Sequence, residues 1–469
     1  MSRKGKIDLV LEDLVIENVA AEGKALTHTP DGQVVFVEFA VPGDVVDVRI
    51  TRKKKAFMEG RIIALKKPSE DRLEPFCKHF GVCGGCKWQP LPYPVQLAAK
   101  QRQVYDQLTR IGHLKVPEFN PIIGSEKTRE YRNKLEFSAS CKRWILADED
   151  PDALAPDQKV GLGFHVSNFF DKVLDIEHCH LQAEPSNAIR LFVKKYAVEH
   201  GIPFYDLREN TGVFRNMFVR TTEDGQVMLI ICFGCEFAGR KAMLDAISDA
   251  FPEITSLYYV INTKCNDSIS DQECILYKGD EAIYEKMEDL RFKIGPKSFY
   301  QTNNGQAYNL YKVARDFAAL TGDEVVYDLY TGTGTIAQFV SSRASKVIGI
   351  EYVPEAIEDA RVNAAGNNIT NCEFFAGDMK DVLTDGFIDA HGRPDVMIVD
   401  PPRAGMHPDV IKVILGASPD RIVYVSCNPA SQARDIEMMS GKYRITAVQP
   451  VDMFPHTQHV ENVCLLELI

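Results

Sequence analysis

The residues best placed to do chemistry lie in the last third of the chain. Ser426-Cys427-Asn428-Pro429 follows the apolar run Arg421-Ile422-Val423-Tyr424-Val425. Cys427 is therefore delivered to a strand end, where open α/β sheets collect ligands and chemistry. A helix should start just after it, and a helix N-terminus favours thiolate. That makes Cys427 a candidate nucleophile; the alternative is a buried structural thiol, the commoner fate of cysteine. Upstream, Asp328-Leu329-Tyr330-Thr331-Gly332-Thr333-Gly334-Thr335 joins a strand to a helix. Its two glycines let backbone approach a ligand where a Cβ would clash. The next strand ends in Glu351, placed to accept hydrogen bonds from ribose hydroxyls, and Gly377-Asp378 one strand later suits an adenine edge. Asp400-Pro401-Pro402-Arg403 is a stiff turn whose carbonyls should stay free to present a flat heterocycle to the cofactor. No lysine follows the glycine loop, which excludes a P-loop. Glu461 opens the last apolar run, where desolvation would raise its pKa and suit it as a general base; an exposed acid at a strand start is the alternative. The set implies covalent catalysis beside a nucleoside cofactor, against a purely structural α/β domain.

A second cluster is Cys77-x5-Cys83-x2-Cys86, with Gly84-Gly85 inside it and Cys179 of His178-Cys179-His180 as a fourth member. Zinc prefers paired Cys-x2-Cys knuckles. The lopsided spacing fits a four-cysteine iron–sulfur cluster better, and zinc remains the alternative. Cys141, Cys232, Cys235, Cys372 and Cys464 sit in or beside apolar runs and are expected to be inert core residues.

These groups need elements to position them. At 469 residues the chain is too long for one core, and two or three domains are expected. Residues 1–67 read as a five-stranded OB-like barrel, with turns at Glu22-Gly23, Asp31-Gly32 and Pro42-Gly43-Asp44. Residues 68–294 hold the cysteines, a helix over 94–111, and a strand-rich pattern with helices near 184–199 and 238–250. From 295 to 469 strands alternate with helices, so a mostly parallel sheet is expected, closed by two last strands at 443–450 and 461–468. The basic start Met1-Ser2-Arg3-Lys4-Gly5-Lys6 runs into a mixed segment rather than an apolar one, and no stretch approaches the roughly 20 residues of a membrane span. A cytoplasmic monomer is expected. The net charge of −12 argues against nucleic-acid binding. Two local runs argue for it: Arg49, Arg52, Lys53, Lys54, Lys55, Arg61, Lys66 and Lys67, and then Lys127, Arg129, Arg132, Lys134, Lys142 and Arg143 with Tyr131, Phe137 and Trp144 interleaved. A solvated face is the alternative for either run.

In these motifs, taken in order, the chain resembles the RumA/TrmA family of S-adenosylmethionine-dependent RNA (uracil-C5) methyltransferases. Ser298-Phe299-Tyr300-Gln301-Thr302-Asn303 and His459-Val460-Glu461 add to the match. The resemblance implies a Rossmann-like methyltransferase domain, an N-terminal TRAM barrel and a central α+β iron–sulfur domain. It implies Cys427 as nucleophile and Glu461 as base, with Gln301, Tyr330, Thr335, Glu351, Asp378 and Asp400 on S-adenosylmethionine. It also implies a [4Fe-4S] cluster on Cys77, Cys83, Cys86 and Cys179. Many members have cysteine at Thr331 and asparagine at Thr335. The tRNA-acting branch typically lacks the TRAM domain and cluster, so the implied substrate is a flipped-out uridine of 23S rRNA. A tRNA uracil methyltransferase, an amino-group methyltransferase and a non-catalytic rRNA-binding factor are the competing readings.

Overall fold

The computed structural model describes residues 9–469; the basic start lies outside them. The first part is a curled six-stranded sheet in the order Val10–Val15, Val45–Lys53, Phe57–Lys67, Val34–Glu38, Lys24–His28 and Asn18–Val19. Alternation turns Val46, Val48 and Ile50 inward onto Val35 and Val37, which makes a small core of its own. The first basic run lies mostly on two paired strands, Val45–Lys53 and Phe57–Lys67, with Lys54 and Lys55 at the turn.

The central part is a seven-stranded sheet in the order Ile275–Gly279, Ile254–Ile261, Val227–Phe233, Phe214–Thr221, Lys134–Ser140, Gly161–Val166 and Phe169–Asp175. Helices Ser186–Glu199 and Arg240–Ala250 bury Ile189, Val193, Leu244 and Ile247 against one face. On the other face Phe218, Met228, Ile230 and Val260 share a core with Leu310, Tyr311 and Val340 of the last part. The two sheets are thus welded by apolar burial rather than linked by a hinge.

The last part is a seven-stranded sheet in the order Cys372–Ala376, Lys346–Glu351, Val325–Leu329, Val396–Val399, Arg421–Ser426, Glu461–Leu468 and Tyr443–Val451. The first five strands are parallel, and Glu461–Leu468 runs antiparallel to both its neighbours. The strand order reverses between Val325–Leu329 and Val396–Val399, and such a switch point leaves a crevice at the carboxyl ends. Two elements earlier in the chain pack onto this sheet's layers. The hairpin Ile283–Met287/Leu290–Ile294 donates the N–H groups of Arg291 and Lys293 to Asn367 and Asn363. The helix Tyr93–Asp106 and the turn after it bury Val104 and Leu108 beside Ala433 and Ile436. Among the described residues no helix is long and apolar enough to cross a membrane.

Candidate active site and cysteine cavity

The glycine loop is bent by three left-handed residues, Tyr330 (φ 67°), Gly332 (56°) and Gly334 (73°). A tyrosine there is strained. It is held because the N–H groups of Tyr330 and Thr331 donate to the Ile350 carbonyl at 2.9 and 3.1 Å. Asp328 anchors the loop from inside, accepting from Thr331 Oγ1 (2.5 Å) and Ala337 N (3.0 Å), and burial pushes its carboxyl up to about 7. Glu351 closes the loop from the next strand, accepting from Gly332 N (3.1 Å) and Val353 N (3.0 Å). Asp378 caps the short helix Met379–Val382 by accepting from Lys380 N, and the Lys380 ammonium holds its carboxyl below the usual range. Thr335 opens the helix Thr335–Ser341 with its hydroxyl 3.3 Å from that of Thr333. The Gln301 carbonyl accepts from Asn133 Nδ2 at 2.9 Å.

Cys427 lies between the strand Arg421–Ser426 and the helix Pro429–Met439, whose N-cap Asn428 accepts from Ala430 N and donates to the Arg403 carbonyl (2.9 Å). That bond, and one from Ser431 to the same carbonyl (3.1 Å), tie the Asp-Pro-Pro-Arg turn to the cysteine turn. The Pro402 carbonyl is taken by Gly405 N. The expectation of free carbonyls is therefore corrected at both positions. Ser426 pairs with Asn462 across the antiparallel ladder, which sets Cys427 and Glu461 side by side at its end.

The thiolate expectation is also corrected. Burial, then Glu461 and Asp400, push the Cys427 thiol up to about 11, with Arg403 opposing. Burial and two neighbouring carboxyls act against the helix end here. Glu461 is 7% exposed. Burial and then Asp400 push it up to about 8, with Arg403 opposing. Asp400 is pushed up to about 7 by burial and Asp328. The site is a carboxyl-rich pocket with one guanidinium at its rim.

The loop from Asp452 to Val460 carries Glu461 and is held from several sides. Asp452, fully buried, accepts from Lys100 Nζ (2.5 Å) and Tyr93 OH (2.8 Å). His456 N donates to Gln96 Oε1 (2.8 Å), and the His456 carbonyl accepts from Lys87 N and Trp88 N. Asn303 and Gln306 donate to the carbonyls of Met453 and Asp452. Trp88 in turn donates to the Gly23 carbonyl of the barrel (3.2 Å). Burial pushes His456 and His459 down to about 4, so both rings are neutral near pH 7.

Cys77, Cys83, Cys86 and Cys179 line one cavity of about 200 Å³ with Phe76, Phe80, Phe164 and Leu181. The strand bridge of Cys83 to Val166 and the reciprocal bonds of Asn187 with the Cys179 backbone (2.8 and 3.2 Å) bring distant segments together. Burial pushes Cys83 up to about 11 and Cys86 up to about 12. Among the described residues no group of three or more His, Cys, Asp or Glu side chains is drawn in tightly enough to hold a metal ion, so the expected ligand set is not shown as a formed metal site. Of the cysteines expected in cores, Cys232 and Cys464 are buried, Cys141 and Cys372 are half-buried, and Cys235 is exposed.

Comparison with known proteins bears on this arrangement. The family model described as tRNA (Uracil-5-)-methyltransferase matches residues 279–469, and the TRAM domain model matches residues 13–63. An uncharacterized RNA methyltransferase of Bacteroides thetaiotaomicron is 59% identical over 454 residues, covering 96% of this chain and all of that one (100%). One of Chlorobaculum tepidum is 37% identical over 473 residues, covering 99% and 97%. The chain belongs to the RumA/TrmA-type RNA (uracil-C5) methyltransferase family. Its fold is similar over 96% of the chain to the Pyrococcus abyssi tRNA (uracil-54, C5)-methyltransferase in complex with S-adenosyl-L-homocysteine, with 99% of that chain covered, 29% identity and a TM-score of 0.74. Two features of this methyltransferase escaped sequence reasoning. Arg403 was read only as part of a turn, yet it is the cation that opposes the shifts of Cys427 and Glu461. Lys100 gave a faint signal: Gln96, Lys100 and Val104 recur every four residues and are all buried, so one helix face carries polar groups into a core.

Proposed function

We propose that the enzyme transfers a methyl group from S-adenosylmethionine to C5 of a uridine in 23S rRNA, through a covalent bond between Cys427 and uracil C6. The observation that carries this reading is the pairing of Ser426 with Asn462, which sets a thiol beside a carboxyl with a shifted pKa at the mouth of the switch-point crevice. The cofactor fits on charge. Burial, and then neighbouring carboxyls, push Asp400, Glu461 and the loop anchor Asp328 up, and a sulfonium beside them would favour their ionised forms. Gln301, Tyr330, Thr335, Glu351, Asp378 and Asp400 would hold it, and when bound it supplies the electrophilic methyl.

The chain's own residues account for the other steps. The target base is first extruded from its stack. The Cys427 sulfur bonds to C6 and gives up its proton to the ionised fraction of the neighbouring carboxyls. Electrons pushed onto O4 make C5 nucleophilic, and C5 would take the methyl as the sulfonium S–CH3 bond breaks and its electron pair returns to sulfur, leaving a neutral thioether. Glu461 takes the C5 proton, the S–C6 bond breaks and the C5–C6 double bond returns. Because Glu461 is held by the ladder and the clamped loop, it faces C5 without reorganising.

The four cysteines are read as holding a [4Fe-4S] cluster. Tetrahedral zinc, with bonds of about 2.3 Å, leaves no void between four sulfurs. An apolar cavity ringed by cysteines suits a larger inorganic core. Iron and acid-labile sulfide measured on protein purified without oxygen test this; zinc alone would reverse it. A second substrate reading has support of its own, because the Pyrococcus abyssi tRNA enzyme is covered end to end by this chain. The deciding experiment uses 5-fluorouridine-substituted 23S rRNA and tRNA with S-adenosylmethionine. Fluorine blocks elimination, so a Cys427-dependent adduct that survives denaturation identifies the RNA. No adduct with either RNA would point to an amino-group methyltransferase or a binding factor.

A further inference from the structure

The second basic run divides by partner. Lys142 and Arg143 are neutralised by Asp206 and Glu149 at 2.8 and 2.7 Å. Lys134 has no acid within ion-pair distance among the described residues. It stands directly opposite Arg220 on the neighbouring antiparallel strand, and the two side chains share one face of the sheet. Like charges placed opposite each other destabilise a sheet. Arg220 is 5% exposed and also lacks an acid within ion-pair distance among the described residues. Its Nε has no hydrogen-bond partner, and an Nη reaches only the Pro296 carbonyl at 3.4 Å. A buried cation without a counter-charge is strongly disfavoured. The Phe218 ring under the Lys134 ammonium, 5.5 Å from its centroid, offsets only part of that. Burial and then Arg220 push Lys134 down to about 8, with the Glu136 carboxylate two residues along the same strand opposing, so at neutral pH it stays largely charged.

The place of the pair in the fold says what would balance it. Asn133 precedes Lys134 and is bonded on both sides. Its Nδ2 donates to the Gln301 carbonyl, its N–H to the Thr302 carbonyl (2.8 Å), and its own carbonyl accepts from Thr221 N (2.8 Å). The two cations thus sit one residue from the segment that carries Gln301, where the central sheet meets the methyltransferase sheet. Lys134 is half-buried and reachable, with Arg220 behind it. We propose that Lys134 and Arg220 bind one backbone phosphate of the substrate RNA next to the Gln301 segment, with Lys134 as the direct contact and Arg220 as the buried charge behind it. This rests on the reading of RNA as the substrate.

The test uses the full chain and its Lys134→Gln and Lys134→Arg variants. A fluorescent twelve-nucleotide oligouridylate and unmodified 23S rRNA and tRNA transcripts are titrated across a range of potassium chloride concentrations. Lys134→Gln should lower the slope of log affinity against log salt by about 0.7, the value for one single-strand phosphate contact. It should raise KM for the methylated RNA more than it changes kcat, and Lys134→Arg should restore both. An unchanged slope in Lys134→Gln overturns the proposal. So does a slope loss that Lys134→Arg leaves unrescued while the thermal midpoint falls, which is the mark of a structural lysine. If no RNA is methylated by the natural protein while the oligouridylate slope still depends on Lys134, the functional reading fails and the phosphate site stands.

Discussion

The chain holds two thiol centres whose sulfurs are shifted in the same direction for different reasons. In the catalytic pocket burial raises Cys427, and the next largest causes are the carboxyls Glu461 and Asp400. In the cysteine cavity burial raises Cys83 and Cys86 and the other cysteines add to it, while Lys87 opposes at Cys83. A thiol beside carboxyls can pass its proton to their ionised forms and take it back. The cavity cysteines have no carboxyl among the residues that line it, and a multivalent cation that displaces their protons would relieve them. A raised pKa is therefore no signature of catalysis by itself; the identity of the neighbour decides.

The sharpest way to break the comparison is to remove one sulfur from each side. Cys427→Ala should lower methyl transfer at least roughly 10³-fold and abolish the 5-fluorouridine adduct, because no other group can bond to C6. Cys83→Ser should leave the Cys427 thiol able to form the adduct while lowering iron and sulfide content. Single-turnover methylation and gel-shifted adduct read the first; metal analysis reads the second. A Cys427→Ala protein that still methylates would place the chain with amino-group methyltransferases. Glu461→Gln comes next. The adduct should still form, but release of methylated RNA should slow by roughly 10²–10⁴. Adduct accumulation on normal, non-fluorinated RNA is the measurement, and turnover at the natural rate would remove Glu461 from the base role.

Much of this frame was legible in the sequence because its signals are local. Strand positions such as 346–351 and 421–426 follow from apolar runs broken by turn residues, and the structure places them there. Helices Met379–Val382 and Asp385–His391 were missed because they are short and specified only by their caps, Asp378 and Thr384. What could not be read were sums over space. Cys427 follows a strand and precedes a helix, which is visible in the chain. That Glu461 and Asp400 add to burial in raising Cys427 depends on the strand order, which places Glu461–Leu468 next to Arg421–Ser426. Arg403 and Lys100 escaped for the same reason, since each acts on a segment far away in sequence.

Lys100 offers a test of how the two centres are joined. Its ion pair with Asp452 lies where the loop to Glu461 begins, and the same helix face carries Gln96, which holds His456 against Lys87 and Trp88 of the cysteine segment. Removing one member of a buried pair strands the other charge, so Lys100→Met should cost about 3–5 kcal/mol of stability. Lys100→Met with Asp452→Leu should recover most of that loss, because apolar replacement of a whole buried pair is often neutral. Denaturant unfolding of the three variants checks this. If the clamp also positions the base, the double variant should stay folded yet turn over more slowly while still forming the 5-fluorouridine adduct. Equal turnover would make the pair a purely structural tie.

The smallest expected effect is the most specific to the catalytic centre. Burial, and then a neighbouring carboxyl, push Asp400 and Glu461 up to about 7 and about 8. A sulfonium attracts their ionised forms and not their protonated ones. S-adenosylmethionine should therefore bind more tightly as pH rises from 6 toward 8.5, then level off once both carboxyls are ionised. The gain should be on the order of tenfold, since the pair titrates jointly and each group is only partly protonated over that range. S-adenosylhomocysteine has the same adenosine and amino-acid portions but no charge on sulfur, and its affinity should change far less. Calorimetric titration of both ligands across the range isolates the carboxyls, because everything else about the two ligands is shared. Parallel profiles would mean that the carboxyls do not feel the sulfur, and the charge argument for how this pocket selects its cofactor would fail.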